Sequence, residues 1–157
     1  MSISDMIVVM KDGLVHQIGK PQEVYDNPVN LFVAKFLGTP PINVFRGKIA
    51  GGALYVGEDR LFDVSTDAKQ GDVYVGIRPE GFVLDNNGPL HCALSRVEVM
   101  GRDMSVVAAH PAFADTAIRA IIDSENISRI AGDTVAFDVK PGKVLVFDQE
   151  TEERIYI

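Results

Sequence analysis

Between residues 42 and 157 the sequence is a succession of short apolar runs cut by turn residues, which confines this part of the chain to a β architecture. Asn43–Ile49, Ala53–Val56, Asp72–Arg78, Leu90–Met100, Met104–His110, Thr116–Asp123, Thr134–Val139 and Val144–Phe147 each read as a strand. The clearest is Thr134–Val139, where period two puts Val135, Phe137 and Val139 on one face. Gly51-Gly52, Pro79, Gly101-Arg102-Asp103 and Pro141-Gly142 punctuate the series. Many short strands with such turns fold as a barrel or a sandwich. Gly76 is expected where backbone must approach a neighbour closely, and Pro79 to end its strand.

Residues 1–41 follow a different rule. Met6–Met10 and Leu14–Ile18 flank Lys11-Asp12-Gly13, a hairpin signal. Pro21 suits the first turn of a short helix, and Asn27-Pro28 breaks it. A second helix is expected from Val29 or Asn30 to Leu37, stopped by Gly38 and Pro40-Pro41. Its apolar positions are too dense for a free surface helix. Thr39-Pro40-Pro41 is the expected linker. The organisation predicted is residues 1–41, a hairpin and two short helices, and residues 42–157, the barrel.

The chemistry of the sequence excludes several functions. The formal net charge is -7 with no basic cluster, which disfavours nucleic acid and anionic membrane surfaces. Cys92 is the single cysteine, so neither a disulfide nor a cysteine-rich zinc site can form within the chain. No apolar run approaches a membrane span, and Met1-Ser2-Ile3-Ser4-Asp5 lacks signal-peptide character, which predicts a cytoplasmic protein. Gly19-Lys20, Gly47-Lys48 and Gly142-Lys143 are followed by Pro21, Ile49 and Val144, so no phosphate loop with a magnesium-binding hydroxyl exists. Val144–Asp148 resembles the apolar strand ending in a magnesium-binding aspartate of P-loop ATPases, but without that loop it reads as a buried strand ending in a polar turn. His91 and Cys92 are strand neighbours that face opposite sides. No Gly-x-Ser-x-Gly elbow is present, and Glu150, Glu152 and Glu153 read as a solvated end segment.

Four consecutive segments carry a family pattern: Asp5–Gly13, Gln17–Pro28, Phe32–Gly38 and Pro41–Asn43. They resemble the end of the ATPase domain in maltose/glycerol-phosphate-type ABC importers. Gly76-Ile77-Arg78-Pro79-Glu80, Val97–Gly101, Gly132–Val135 and Phe147–Thr151 resemble that family's C-terminal regulatory domain, the transport-associated OB type called TOBE. The resemblance implies a mainly β fold, an OB-like (TOBE/MOP-like) β-barrel preceded by a hairpin and two short helices. It implies a regulatory and dimerisation module whose partners are a second copy, the transporter's membrane subunits and regulatory proteins. It places the parent at the inner face of the cell membrane. ATP and magnesium belong to the intact parent, and this chain carries no cofactor and no catalytic residue. Ile77, Arg78 and Glu80 are the implied dimer or regulatory contacts. Because the ATPase sheet is missing, residues 1–37 are expected to be rearranged, swapped between subunits or poorly ordered. Related modules also bind oxyanions, or a sugar, and here Ser65, Thr66 and Lys69 near Gly71 would be the weak counterpart.

Overall fold

The structure is a computed structural model that describes residues 5–38, 40–115 and 117–157. Met1–Ser4, Thr39 of the expected linker and Thr116 of an expected strand fall outside these. The chain opens with a hairpin, β1 (Ile7–Lys11) and β2 (Leu14–Gly19). Asp12 and Gly13 turn it with φ of 52° and 78°, the left-handed pair whose twist matches that of the strands. Helix α1 (Pro21–Asp26) starts on its proline and ends at Asn27. Helix α2 (Leu31–Phe36) is capped by Asn30, whose Oδ1 accepts the Val33 N–H at 2.9 Å.

Among the described residues, eleven further strands build the body. They are β3 (Asn43–Ala50), β4 (Ala53–Val56), β5 (Asp59–Asp63), β6 (Gly71–Ile77), β7 (Phe82–Leu84), β8 (Leu90–Met100), β9 (Asp103–Ala109), β10 (Ile118–Asp123), β11 (Thr134–Val139), β12 (Val144–Asp148) and β13 (Arg154–Ile155). One sheet has the order β13-β12-β6-β3-β4-β5 and the other β10-β9-β8-β11-β7. In the second sheet β10 returns beside β7, so five strands curl into a nearly closed barrel. The mainly β, barrel-like fold is therefore the one the sequence predicts. The strands β5, β7 and β13 were not expected. β5 is charged at both ends and buries only Leu61, while β7 and β13 have three and two residues, too short for a period to show.

A single core fills the space between the sheets, with Phe45, Val75, Ile77 and Val146 facing Met104, Val106, Ile118 and Phe137. β12 lies between two apolar layers. Val144 and Val146 enter this core, whereas Leu145 and Phe147 point the other way, against Leu31 and Ala34 of α2 with Ile42 and Val44. That is why Val144–Phe147 is apolar without alternation. Gly76, beside Phe147, would bring a Cβ to 2.8 Å from Ile42 Cδ1, which accounts for the glycine.

The packing corrects one expectation. Residues 5–37 are ordered on the barrel and not displaced from it. Val9, Val24 and Val33 form a small core of their own, and α2 covers the outer face of β12 and β3. The acidic run also takes part through its backbone, since the Leu31 N–H donates to the Glu152 carbonyl and the Arg154 N–H to Val29. The outer face of the hairpin stays apolar and open, with Met6 60% and Ile18 58% exposed.

Asp59 ties the two sheets together. From the start of β5 its Oδ2 accepts the His110 Nε2–H at 2.8 Å and the His91 N–H at 3.2 Å. His110 Nδ1 accepts the Ala112 N–H at 3.0 Å, which fixes the proton on Nε2. Burial pushes the Asp59 carboxyl up, but these donors outweigh it and hold it below its ordinary 3.8. Asp59→Ala leaves two donors without acceptor and should cost about 1–3 kcal/mol in chemical denaturation at pH 7. A carboxyl with a lowered folded pKa stabilises above its unfolded value and loses that contribution as pH falls through the folded one. The difference between wild type and variant should therefore shrink below about pH 4.

Candidate functional site

The most heavily constrained polar group lies where β6 ends. Ile77 completes the strand, Arg78 leaves it, and Pro79 starts the 3-10 turn Pro79–Gly81. The Arg78 side chain does not reach solvent, and the residue is 1% exposed. Its Nη1 donates to the Ala34 carbonyl at 2.9 Å and the Leu37 carbonyl at 3.0 Å, and Nη2 donates to the Tyr25 carbonyl at 2.6 Å. The guanidinium lies 3.9 Å from the centre of the Tyr25 ring. Carbonyls at a helix C-terminus lack intrahelical donors and carry the negative end of the dipole. Arg78 supplies donors to the ends of both short helices from the barrel side. A planar, five-donor cation suits this task in a way a compact ammonium does not.

Tyr25 closes a ring of contacts. Its hydroxyl donates to Glu80 Oε2 at 2.7 Å, and Lys143 Nζ stands 3.8 Å from the same carboxylate. Burial first, then the bond to Glu80, pushes the Tyr25 hydroxyl up to about 12, so it stays a donor. Burial lowers the Arg78 pKa from its ordinary value, while the nearby Tyr25 and Glu80 oppose the shift. Nε of Arg78 has no hydrogen-bond partner among the described residues.

Of the residues singled out from the sequence, Ile77 is 0% exposed and belongs to the core. Arg78 is equally inaccessible to a second chain in this arrangement, and only Glu80 reaches the surface, its side chain 42% exposed. Of the three, Arg78 and Glu80 contact the helical segment, and Ile77 packs inside the barrel. Sequence reasoning missed Tyr25, an aromatic placed 53 residues before its guanidinium. The available signal was the dense apolar pattern of α2, which required a docking surface.

In the loop singled out for oxyanions, Ser65 and Lys69 are engaged within the chain. Ser65 Oγ accepts the Asp67 N–H at 3.2 Å, and Lys69 Nζ is 2.7 Å from Asp148 Oδ2. The Lys69 bond, then the N–H groups of Thr151 and Glu150, hold the Asp148 carboxyl down at about 2. Asp148 is thus a turn residue at the end of a buried strand, as its sequence context suggests. Cys92 is buried, whereas the His91 side chain is 71% exposed, so the pair diverges as expected. Among the described residues no group of three or more His, Cys, Asp or Glu is placed to hold a metal, and no helix is long and apolar enough to cross a membrane.

Fold and joint together describe a β-barrel held by a buried arginine to the ends of two short helices. The chain is 33% identical over 157 residues to the sn-glycerol-3-phosphate import ATP-binding protein UgpC of Jannaschia sp. (strain CCS1), covering 99% of this chain and 43% of that protein. It is 31% identical over 172 residues to the xylose/arabinose import ATP-binding protein XacJ of Haloferax volcanii, covering 99% and 44% respectively. The chain thus spans less than half the length of these relatives. Over its whole length it is related to the C-terminal part of ABC importer ATP-binding subunits. No family model matches. Among solved structures, the cytoplasmic molybdate-binding protein ModG aligns with a TM-score of 0.47 and 17% identity, over 66% of this chain and 94% of that one.

Arg78→Lys should lose at least two of the three carbonyl bonds and lower stability by about 2–4 kcal/mol in urea unfolding. Tyr25→Phe keeps the ring under the guanidinium and should cost about 1 kcal/mol, since only the bond to Glu80 goes.

Proposed function

We propose that this chain is the regulatory, self-associating module of the ATP-binding subunit of a carbohydrate-type ABC importer. Residues 1–41 are the end of the ATPase domain and its linker, and residues 42–157 are the regulatory domain. ATP and magnesium act in the parent's preceding part, and no residue of this chain is catalytic. The parent works at the cytoplasmic face of the membrane with its membrane subunits, which select the solute, and with regulatory proteins. The observation that carries the reading is the Arg78 joint. A regulatory domain must transmit its position to the ATPase, and a guanidinium bonded to the ends of both helices makes the last ATPase elements move with the barrel.

Self-association needs an exposed apolar face of roughly 800 Å² per partner. One end of the barrel offers a start. Val99 and Met100, 57% and 55% exposed, precede the β8–β9 turn, and Ile127, 47% exposed, lies in the 3-10 segment hydrogen-bonded to it. The chain should elute as a concentration-dependent dimer by light scattering after size exclusion. Met100→Glu should shift it to monomer, and Val8→Glu, on the hairpin's open face, should not. A dimer broken by Val8→Glu alone would assign association to the exposed hairpin and refute a barrel interface.

A further inference from the structure

We propose that Asn87 is a site of spontaneous deamidation, and that its rate is set by how often the loop between β7 and β8 opens. This inference does not rest on self-association or on transport.

The sequence singles the residue out. Asn27, Asn30, Asn43, Asn86 and Asn126 precede Pro28, Leu31, Val44, Asn87 and Ile127, and Asn87 alone precedes a glycine. The reaction joins the asparagine side chain to the next backbone nitrogen. That nitrogen loses its proton to hydroxide, attacks Cγ and expels the side-chain nitrogen as ammonia, which leaves a cyclic imide. Water then opens the imide at either carbonyl. One opening gives aspartate, and the other gives isoaspartate, whose main chain is longer by one carbon. A side chain on the attacking residue hinders ring closure, and glycine has none.

The structure exposes one reacting group and restrains the other. Asn86 and Asn87 are the exposed turn of the loop, and the Asn87 carboxamide makes no hydrogen bond with the described residues. The attacking nitrogen is held. The Gly88 N–H donates to the Asp85 carbonyl at 2.9 Å, and the Asn87 N–H donates to Asp85 Oδ1 at 2.9 Å. Gly88 is buried, and a Cβ there would collide with the Phe137 carbonyl. An N–H engaged as a donor in a packed turn neither gives up its proton nor swings toward its neighbour's side chain. Reaction therefore waits for the loop to open, an event far cheaper than global unfolding but still uphill.

The same packing separates the two products. Aspartate keeps the length of the main chain and places a second carboxylate beside Asp85 at the surface. Isoaspartate inserts a carbon just before Gly88, where β11 leaves no room, and so disturbs the pairing of Phe82–Leu84 with Phe137–Val139.

The test incubates the full chain in mildly alkaline buffer, folded and in urea, and follows each asparagine by peptide mass spectrometry with fragmentation that distinguishes the two products. Asn87 should convert before every other asparagine, about tenfold or more slowly in the folded chain than in urea. Asp85→Ala, checked for cooperative unfolding, removes the acceptor of the Asn87 N–H and should speed conversion of the folded chain several-fold, with the rate in urea unchanged. The isoaspartyl form, separated by ion exchange, should unfold at a lower temperature than the aspartyl form. Earlier conversion of Asn86 or Asn126, or equal rates for Asn87 folded and in urea, overturns the proposal. A folded Asp85→Ala chain that converts no faster than wild type overturns control by the turn.

Discussion

A guanidinium withdrawn from water is costly unless its donors are taken up, and in this chain the acceptors are carbonyls from another part of the structure. Arg78 can be buried only if α1 and α2 are docked, because Ala34, Leu37 and Tyr25 supply its partners. The dependence runs both ways. Six-residue helices are far too short to persist alone, and a two-stranded ribbon is marginal at best. Those elements hold their form because the barrel presents a cation to the helix ends and an apolar face to Leu31 and Ala34.

The six-stranded sheet makes this arrangement possible. Its inner face closes the barrel core, and its outer face carries α2, so β12 is buried on both sides. The C-terminal turn adds a polar seam. Asp148 organises the turn through the Glu150 and Thr151 N–H groups, and Glu153, just before β13, bridges to Asn30, the residue that caps α2. Asp59 makes the corresponding tie on the barrel side, between β5 and the starting edge of β8.

Much of this was legible in the residues. Thr134–Val139 and Leu90–Met100 appear with the boundaries read from their apolar pattern, and the Asp12-Gly13 turn and the Pro21 helix start fall where their backbone chemistry requires. What was not legible depended on tertiary partners. β7 and β13 exist because β11 and β12 offer them edges. The ordering of residues 5–37 depends on an outer sheet face made by Val44, Leu145 and Phe147, from three-dimensional neighbours far apart in the chain. The Gly76–Glu80 motif was recognisable as important, yet the direction of Arg78 was not. An arginine before a proline reads as a surface turn until the carbonyls of α2 are seen above it.

Native-state hydrogen exchange across a denaturant series tests the central dependence most directly. If the Arg78 joint makes the helical segment and the barrel one cooperative unit, the amide of Ala34, bonded to Asn30, will exchange only through the global opening that releases Val75 and Val146. Exchange of Ala34 through a separate opening of much lower free energy, with Val75 and Val146 still protected, would contradict that account.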